Sequence, residues 1–120
     1  MPVRSLGSSV LKWPDAATVR AAVRQWAGRV AAEHQDVTAI GWFGSYPRGD
    51  WGVGSDVDLV VVVRESPEPF ERRALRFDAT NLPVPADLLV YTRAEWTRLR
   101  RAPGSSSLAR GVEWLAGSPH

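Results

Sequence analysis

The segment at residues 56–63, DVDLVVVV, restricts the possible folds more than any other part of the 120-residue chain. Its last five residues are all apolar, and four of them are valine. Valine favours extended backbone, and side chains alternate between the two faces of a strand, so both faces of this strand are apolar. Such a strand lies inside a sheet that is covered on both sides. We therefore predict a layered α/β architecture around it.

Two acidic residues stand at the start of this strand. Asp56 and Asp58 are separated by one residue, so their side chains lie on one face, roughly 6–7 Å apart. Two carboxylates this close repel each other unless a cation lies between them or one keeps a proton. Mg²⁺ prefers oxygen ligands and commonly binds through carboxylates together with substrate phosphates. The pair therefore indicates a divalent-metal site, with two solvated strand-end charges as the simpler alternative.

A candidate phosphate site precedes the pair. Residues 37–44, VTAIGWFG, predict a strand that ends at Gly44, and SYPRGD predicts a short helical turn after it. A helix start presents unpaired N–H groups, which suit a phosphate. Gly44 lacks the Cβ that would block close approach, and Ser45 could donate its hydroxyl or act only as a helix cap. The glycine-rich WGVG loop then lets the chain reverse and bring Asp56 and Asp58 under the phosphates.

Hydrophobic periodicity predicts the other elements. We expect an irregular lead-in at 1–12, a helix at 13–34 with Asp15 as N-cap, a helix containing Phe70, Ala74 and Phe77, a strand at 85–92, a helix at 93–102 capped by Thr92, a helical turn at 105–111 and a final strand or extended tail at 112–117. This order predicts an α/β (α+β) fold in which helices pack on a small mixed β-sheet. The length predicts a single domain over residues 1–120.

Composition excludes several classes of function. The chain has no cysteine, which excludes disulfides, thiolate nucleophiles and cysteine-based zinc sites. No segment approaches the roughly 18 apolar residues of a membrane span, and the N-terminus lacks the apolar run of a secretory signal, so we expect a cytoplasmic protein without a membrane partner. The net charge is only +2, which scattered surface arginines explain. Nucleic acid is therefore not expected as a direct partner.

The motifs together resemble a known enzyme signature. Gly44-Ser45-x-x-Arg48-Gly49, followed after five residues by Ser55-Asp56-x-Asp58-Leu59, is similar to the signature of the polymerase-β-like nucleotidyltransferase superfamily. The resemblance extends over residues 39–91, and more weakly over the tail LARGVEWL. It is greatest with the small stand-alone "minimal nucleotidyltransferase" (MNT) proteins. Pro47 departs from the small residue that is usual at its position, and it could remove one N–H donor from the phosphate cradle.

The resemblance implies a palm-like fold with three metal-binding carboxylates. Asp56 and Asp58 would bind two Mg²⁺ ions as catalytic residues. A third carboxylate on a nearby strand completes the site in the family. Asp87 in PADLLVY is the matching position, since it opens an apolar strand as Asp58 does. Asp87 would bind the ion that activates the acceptor and could receive the acceptor's proton, or it could be a surface charge.

The resemblance also implies a nucleotide site around the turn. Gly44 and Ser45 would hold the β- and γ-phosphates of ATP or another NTP, and Ser55 would contribute to nucleotide binding. Arg48 would neutralise phosphate charge or pair with a carboxylate to hold the loop in place.

The activity implied is transfer of a nucleoside monophosphate, AMP from ATP in the usual case, to an acceptor hydroxyl. In the family, minimal proteins commonly pair with a helical HEPN protein as the antitoxin of a toxin–antitoxin module, in some cases by AMPylating a tyrosine of that partner. Two alternatives stay open at this stage. One is a non-catalytic module that neutralises a partner by contact. The other is an aminoglycoside-type enzyme that forms a homo-oligomer to build its acceptor pocket.

Overall fold

The computed structural model of the protein describes residues 14–49, 52, 54–102 and 111–119. Along the chain these form α1 (Ala16–Glu33), β1 (Val37–Phe43), α2 (Ser45–Arg48), β2 (Val57–Val63), α3 (Phe70–Arg73) with a 3₁₀ turn (Ala74–Arg76), β3 (Ala86–Thr92), α4 (Arg93–Arg101) and β4 (Glu113–Gly117). The lead-in predicted at 1–12 and most of the turn predicted at 105–111 lie outside the described residues. Among the described helices, none combines the length and apolar character needed to span a bilayer.

The four strands form one mixed sheet in the order β3-β2-β1-β4. β1 is antiparallel to both β2 and β4, whereas β2 and β3 are parallel. β2 is therefore a central strand, and every one of its residues except Asp58 is buried. This arrangement confirms the fold class expected from the two apolar faces of the valine-rich segment.

The first face of the sheet is covered by α1. This helix begins behind Asp15, whose side chain accepts a hydrogen bond of 2.8 Å from the backbone N–H of Thr18, as expected of an N-cap. Its buried stripe packs on the sheet face that carries Ile40, Trp42 and Leu59. The buried residues of the stripe are Val19, Val23, Trp26, Ala27 and Val30. The spacing of apolar residues along residues 13–34 thus predicted the helix and its inner face correctly.

The second face of the sheet is covered by α4. Thr92 and Glu95 form a capping box at the start of this helix, which confirms the predicted N-cap. The fully buried Trp96 then packs on Val60 and Val62 of β2. Because side chains alternate along a strand, Asp58 lies on this same face, two residues before Val60. The candidate site therefore opens on the α4 side of the sheet.

The helix predicted around Phe70, Ala74 and Phe77 is shorter than expected. Only Phe70–Arg73 is α-helical, and a 3₁₀ turn follows it. Phe70 is 40% exposed, whereas Phe77 is buried in an extended backbone conformation beyond the turn. The three residues therefore do not line one helical face. Pro69 at the N-cap provides no side-chain hydrogen bond, and a segment this short gains little from helix propagation.

Arg73 connects α3 to the rest of the fold from a buried position, with 7% of its surface exposed. Its Nε donates to the carbonyl of Glu68 (2.9 Å), and its Nη1 donates to the carbonyl of Val90 (3.2 Å). The guanidinium also binds both carboxylate oxygens of Glu95, at 2.6 and 3.2 Å. The side chain thus ties α3 to β3 and to the first turn of α4.

The buried arginine gives a stability prediction. Arg73→Ala is expected to lower the free energy of unfolding by about 2–4 kcal/mol, because it leaves the buried carbonyl of Val90 and the Glu95 carboxylate without this donor. Arg72→Ala is the matched control. Its side chain is exposed and contacts Glu68 only at 3.8 Å, so it should cost less than about 0.5 kcal/mol. Urea unfolding of both variants measures the difference, and equal losses would contradict the account.

Candidate active site

The sheet topology brings Asp58 and Asp87 together. β2 and β3 are parallel, and their register pairs Asp58 directly with Asp87. Neighbouring strands lie about 4.8 Å apart, and paired residues point to the same face, so the two side chains leave the sheet side by side. Asp56 directly precedes β2, two residues before Asp58. The third carboxylate predicted by resemblance, Asp87, therefore lies beside Asp58.

The turn after β1 lies at the same edge of the sheet. Because β1 is antiparallel to β2, its last residue, Phe43, pairs with Asp58. The Gly-Ser turn, defined here as residues 44–48, consequently starts next to the carboxylates. The sequence placed the phosphate motif and the acidic motif in two separate segments, and the register joins them in space.

The electrostatics of Asp58 show that the charged groups of the site interact. The pKa of Asp58 is raised, first because its partial burial disfavours the charged form, and then because Asp87 and Asp56 add negative charge nearby. The positive charge of Arg48 acts in the opposite direction and lowers this pKa. The charges of both other carboxylates and of the arginine in the Gly-Ser turn therefore all affect the pKa of Asp58.

Gly44 makes room for Asp58. Its backbone has φ of +82°, a conformation that L side chains rarely adopt, and a Cβ at this position would overlap Oδ2 of Asp58. The sequence predicted a glycine here to allow close approach of a phosphate. The structure adds a second reason, since the backbone of the turn packs directly against the carboxylate of Asp58.

Ser45 is not the N-cap of α2, so that alternative prediction is wrong. The N-cap is Gly44, which makes no side-chain capping bond, and Ser45 is the first helical residue. Pro47 is then the third residue of the helix, where a backbone N–H would have no acceptor within the helix. The proline therefore costs the helix no hydrogen bond.

Ser55 closes the loop that leads to Asp56. Its Oγ accepts a hydrogen bond from the backbone N–H of Gly52 (2.8 Å), and its own N–H donates to the carbonyl of Gly52 (2.9 Å). The sequence predicted a nucleotide-binding role for Ser55. In the structure its hydroxyl oxygen already accepts a bond within the loop. Trp51, which the sequence also places in this loop, lies outside the described residues.

Tyr46 is a residue of the site region that sequence reasoning missed. It is buried, stacks on Trp42 with 6.1 Å between ring centroids, and donates a hydrogen bond of 3.4 Å from its hydroxyl to the carbonyl of Ser55. An aromatic residue between Ser45 and Pro47 was the only signal in the sequence. Such a residue in a short turn does not by itself reveal which loop its hydroxyl will reach.

The residues present suit a divalent cation in their chemistry. Asp56 and Asp87 are exposed and Asp58 is half-buried, so all three carboxylates are open to solvent. They offer only oxygen donors, as Mg²⁺ prefers. Within residues 14–49, 54–102 and 111–119, no three acidic or histidine side chains lie close enough to enclose an ion as they stand. Like charges favour such separation, and exposed aspartates reach an ion by side-chain rotation.

Comparison with known proteins supports the same fold. No curated protein matches the chain in sequence. A candidate nucleotidyltransferase from Sulfolobus solfataricus is 23% identical, with a TM-score of 0.53 over 71% of this chain and 81% of that one. A toxin–antitoxin structure containing AMP-PNP is 18% identical, with a TM-score of 0.51 over 79% of this chain and 73% of that one.

These structures show the fold alone, whereas the sequence itself matches a protein family. The model of the nucleotidyltransferase domain matches residues 23–106. This segment is more than half of the chain, and it contains the Gly-Ser turn together with β2 and β3, where the carboxylates lie. The chain therefore belongs to the nucleotidyltransferase domain family.

Proposed function

We propose that this nucleotidyltransferase moves AMP from ATP to a hydroxyl of a partner protein, with Mg²⁺ as cofactor. The observation that carries the proposal is the pairing of Asp58 with Asp87 beside the Gly-Ser turn. Three acidic side chains next to a turn that suits phosphates form a site for a metal-bound triphosphate. The nucleotide in the toxin–antitoxin structure, AMP-PNP, is an analogue of ATP and supports the choice of ATP.

The carboxylates take the metal-binding roles. Asp56 and Asp58 would hold two Mg²⁺ ions, and Asp87 would help to hold the ion that activates the acceptor. When bound, the ions supply Lewis acidity to the attacking and leaving oxygens. Asp87, at the exposed end of β3, is placed to receive the proton of the acceptor hydroxyl. The acceptor oxygen forms a bond to the α-phosphorus, the bond from that phosphorus to the bridging oxygen breaks, and pyrophosphate leaves.

The Gly-Ser turn holds the triphosphate. Gly44 and Ser45 bind the β- and γ-phosphates, and Ser55 contributes from the adjacent loop. In the structure, the positive charge of Arg48 lowers the pKa of Asp58. We propose that Arg48 supplies positive charge to the carboxylates in the free protein and to the phosphates when nucleotide is bound. This role accommodates both alternatives that the sequence left open for the arginine.

The proposed partner is a helical HEPN-type toxin, for which this protein is the antitoxin. The structural neighbour with AMP-PNP is described as a toxin–antitoxin, which supports a pair of this kind. Incubation with α-³²P-labelled ATP, Mg²⁺ and the product of the neighbouring gene tests the proposal. Label on that product is expected. A tight complex without label would contradict transfer and support neutralisation by contact. In a parallel incubation with aminoglycosides, label on these alone would contradict the protein acceptor.

Asp58→Asn separates activity from stability. The pKa of Asp58 is higher in the folded protein than its ordinary value of 3.8. Protonation of Asp58 therefore favours the folded state. This contribution to the free energy of unfolding is fully present below pH 3.8 and is lost as the pH rises through the folded pKa. Removing the charge should therefore raise Tm at pH 7 without Mg²⁺, and the gain should shrink as the pH falls towards 4. Transfer to the partner should be abolished. Calorimetry over this pH range and the labelling assay measure both effects. Full transfer, or a lower Tm at pH 7, would contradict the assignment.

Gly44→Ala and Gly49→Ala form a matched pair. Both glycines have positive φ, +82° and +87°, so each alanine costs about 1 kcal/mol of backbone strain. A Cβ at Gly49 meets open space, whereas a Cβ at Gly44 overlaps Asp58. At a temperature where both variants are folded, Gly44→Ala should transfer AMP about tenfold to a hundredfold more slowly than Gly49→Ala. Equal rates would show that the contact with Asp58 has no part in the reaction.

A further inference from the structure

Tyr46 attaches the Gly-Ser turn to the core on the α1 side of the sheet. Only 4% of its surface is exposed, and its ring lies nearly parallel to that of Trp42, at an interplanar angle of 17°. Trp42 is itself held by a hydrogen bond of 3.1 Å from its Nε1 to Glu113 of β4. The ring of Tyr46 therefore has a stabilising role that any aromatic side chain of similar size would perform.

The hydroxyl of Tyr46 reaches a different segment from its ring. It donates to the carbonyl of Ser55, the residue directly before Asp56. On the other side of Asp56, the backbone N–H of Val57 donates to the carbonyl of Pro85 at 2.9 Å. Asp56 thus lies between two backbone anchors, one from the Gly-Ser turn and one from the segment that leads into β3. Its own side chain is exposed, so these anchors fix the backbone from which its carboxylate rotates.

We propose that Tyr46 is a positioning residue for Asp56. By holding the carbonyl of Ser55, its hydroxyl keeps the backbone of Asp56 next to the Gly-Ser turn, where the rotating carboxylate would reach a cation bound at the turn. A displacement of about 1 Å at such a site is costly. The inference rests on the proposed function, because it concerns the same metal and nucleotide site.

Tyr46→Phe tests the hydroxyl alone, because phenylalanine keeps the ring and its stacking on Trp42. Tyr91→Phe is the matched control. Tyr91 is half-buried on the α4 side of the sheet, 5.7 Å from the ring of Trp96, and lies four residues beyond Asp87 along β3. That separation is about 13 Å. Both variants lose one tyrosine hydroxyl, and only Tyr46→Phe loses the bond to Ser55.

Two readouts distinguish positioning from a purely structural role. In the metal-free protein, amide hydrogen exchange at residues 54–57 should be faster in Tyr46→Phe than in the wild type or in Tyr91→Phe. Binding of Mn²⁺ in the presence of a non-hydrolysable ATP analogue, measured by electron paramagnetic resonance, should be about threefold to tenfold weaker in Tyr46→Phe, as expected for one lost hydrogen bond. The Tm of the two variants should agree within a few degrees.

The outcomes separate this inference from the function on which it rests. Unchanged exchange and unchanged Mn²⁺ affinity in Tyr46→Phe would overturn the inference while the wild type still binds the metal. A fall in Tm without any change in Mn²⁺ affinity would also overturn it, since the hydroxyl would then be structural only. If the wild type binds no Mn²⁺ with the nucleotide analogue, the proposed function fails and this inference fails with it.

Discussion

The parallel register of β2 and β3 is the constraint on which the rest of the structure depends. It pairs Asp58 with Asp87 at a position where partial burial, and then the like charges of Asp87 and Asp56, raise the pKa of Asp58. Burial of the apolar remainder of β2 on both faces offsets the cost of this unfavourable arrangement. Helices α1 and α4, which cover the two faces, hold the register in place. The core thereby supplies the free energy that brings the carboxylates together.

The antiparallel pairing of β1 with β2 adds the second half of the site. It delivers the Gly-Ser turn to the same edge of the sheet and leaves so little space that only glycine is accommodated at position 44. The turn and Asp58 are therefore in direct contact, and Tyr46 extends the connection to the loop before Asp56. A ligand bound at the turn would therefore lie next to the carboxylates. The site therefore depends on how β1, β2 and β3 pair at this edge of the sheet, and not on one sequence motif alone.

Much of this arrangement was predictable from local patterns. The valine run predicted a central strand, the apolar spacing after Asp15 predicted α1, and Thr92 was correctly predicted as a cap. Asp87 followed only from resemblance, since one aspartate at a strand start does not reveal its neighbour. The helix predicted around Phe70 was too long, because apolar spacing shows neither the 3₁₀ turn that follows Arg73 nor the burial of Arg73. The hydroxyl contact of Tyr46 and the overlap at Gly44 depend on tertiary distances, which no local pattern contains.

A crystal structure with Mn²⁺ and a non-hydrolysable ATP analogue would show whether the three carboxylates and the Gly-Ser turn bind one metal–nucleotide complex. Anomalous scattering from Mn²⁺ is expected within about 2.3 Å of carboxylate oxygens of Asp56, Asp58 and Asp87, with the triphosphate against the Gly-Ser turn. Binding of the analogue elsewhere on the protein, or metal bound without Asp87, would contradict this arrangement.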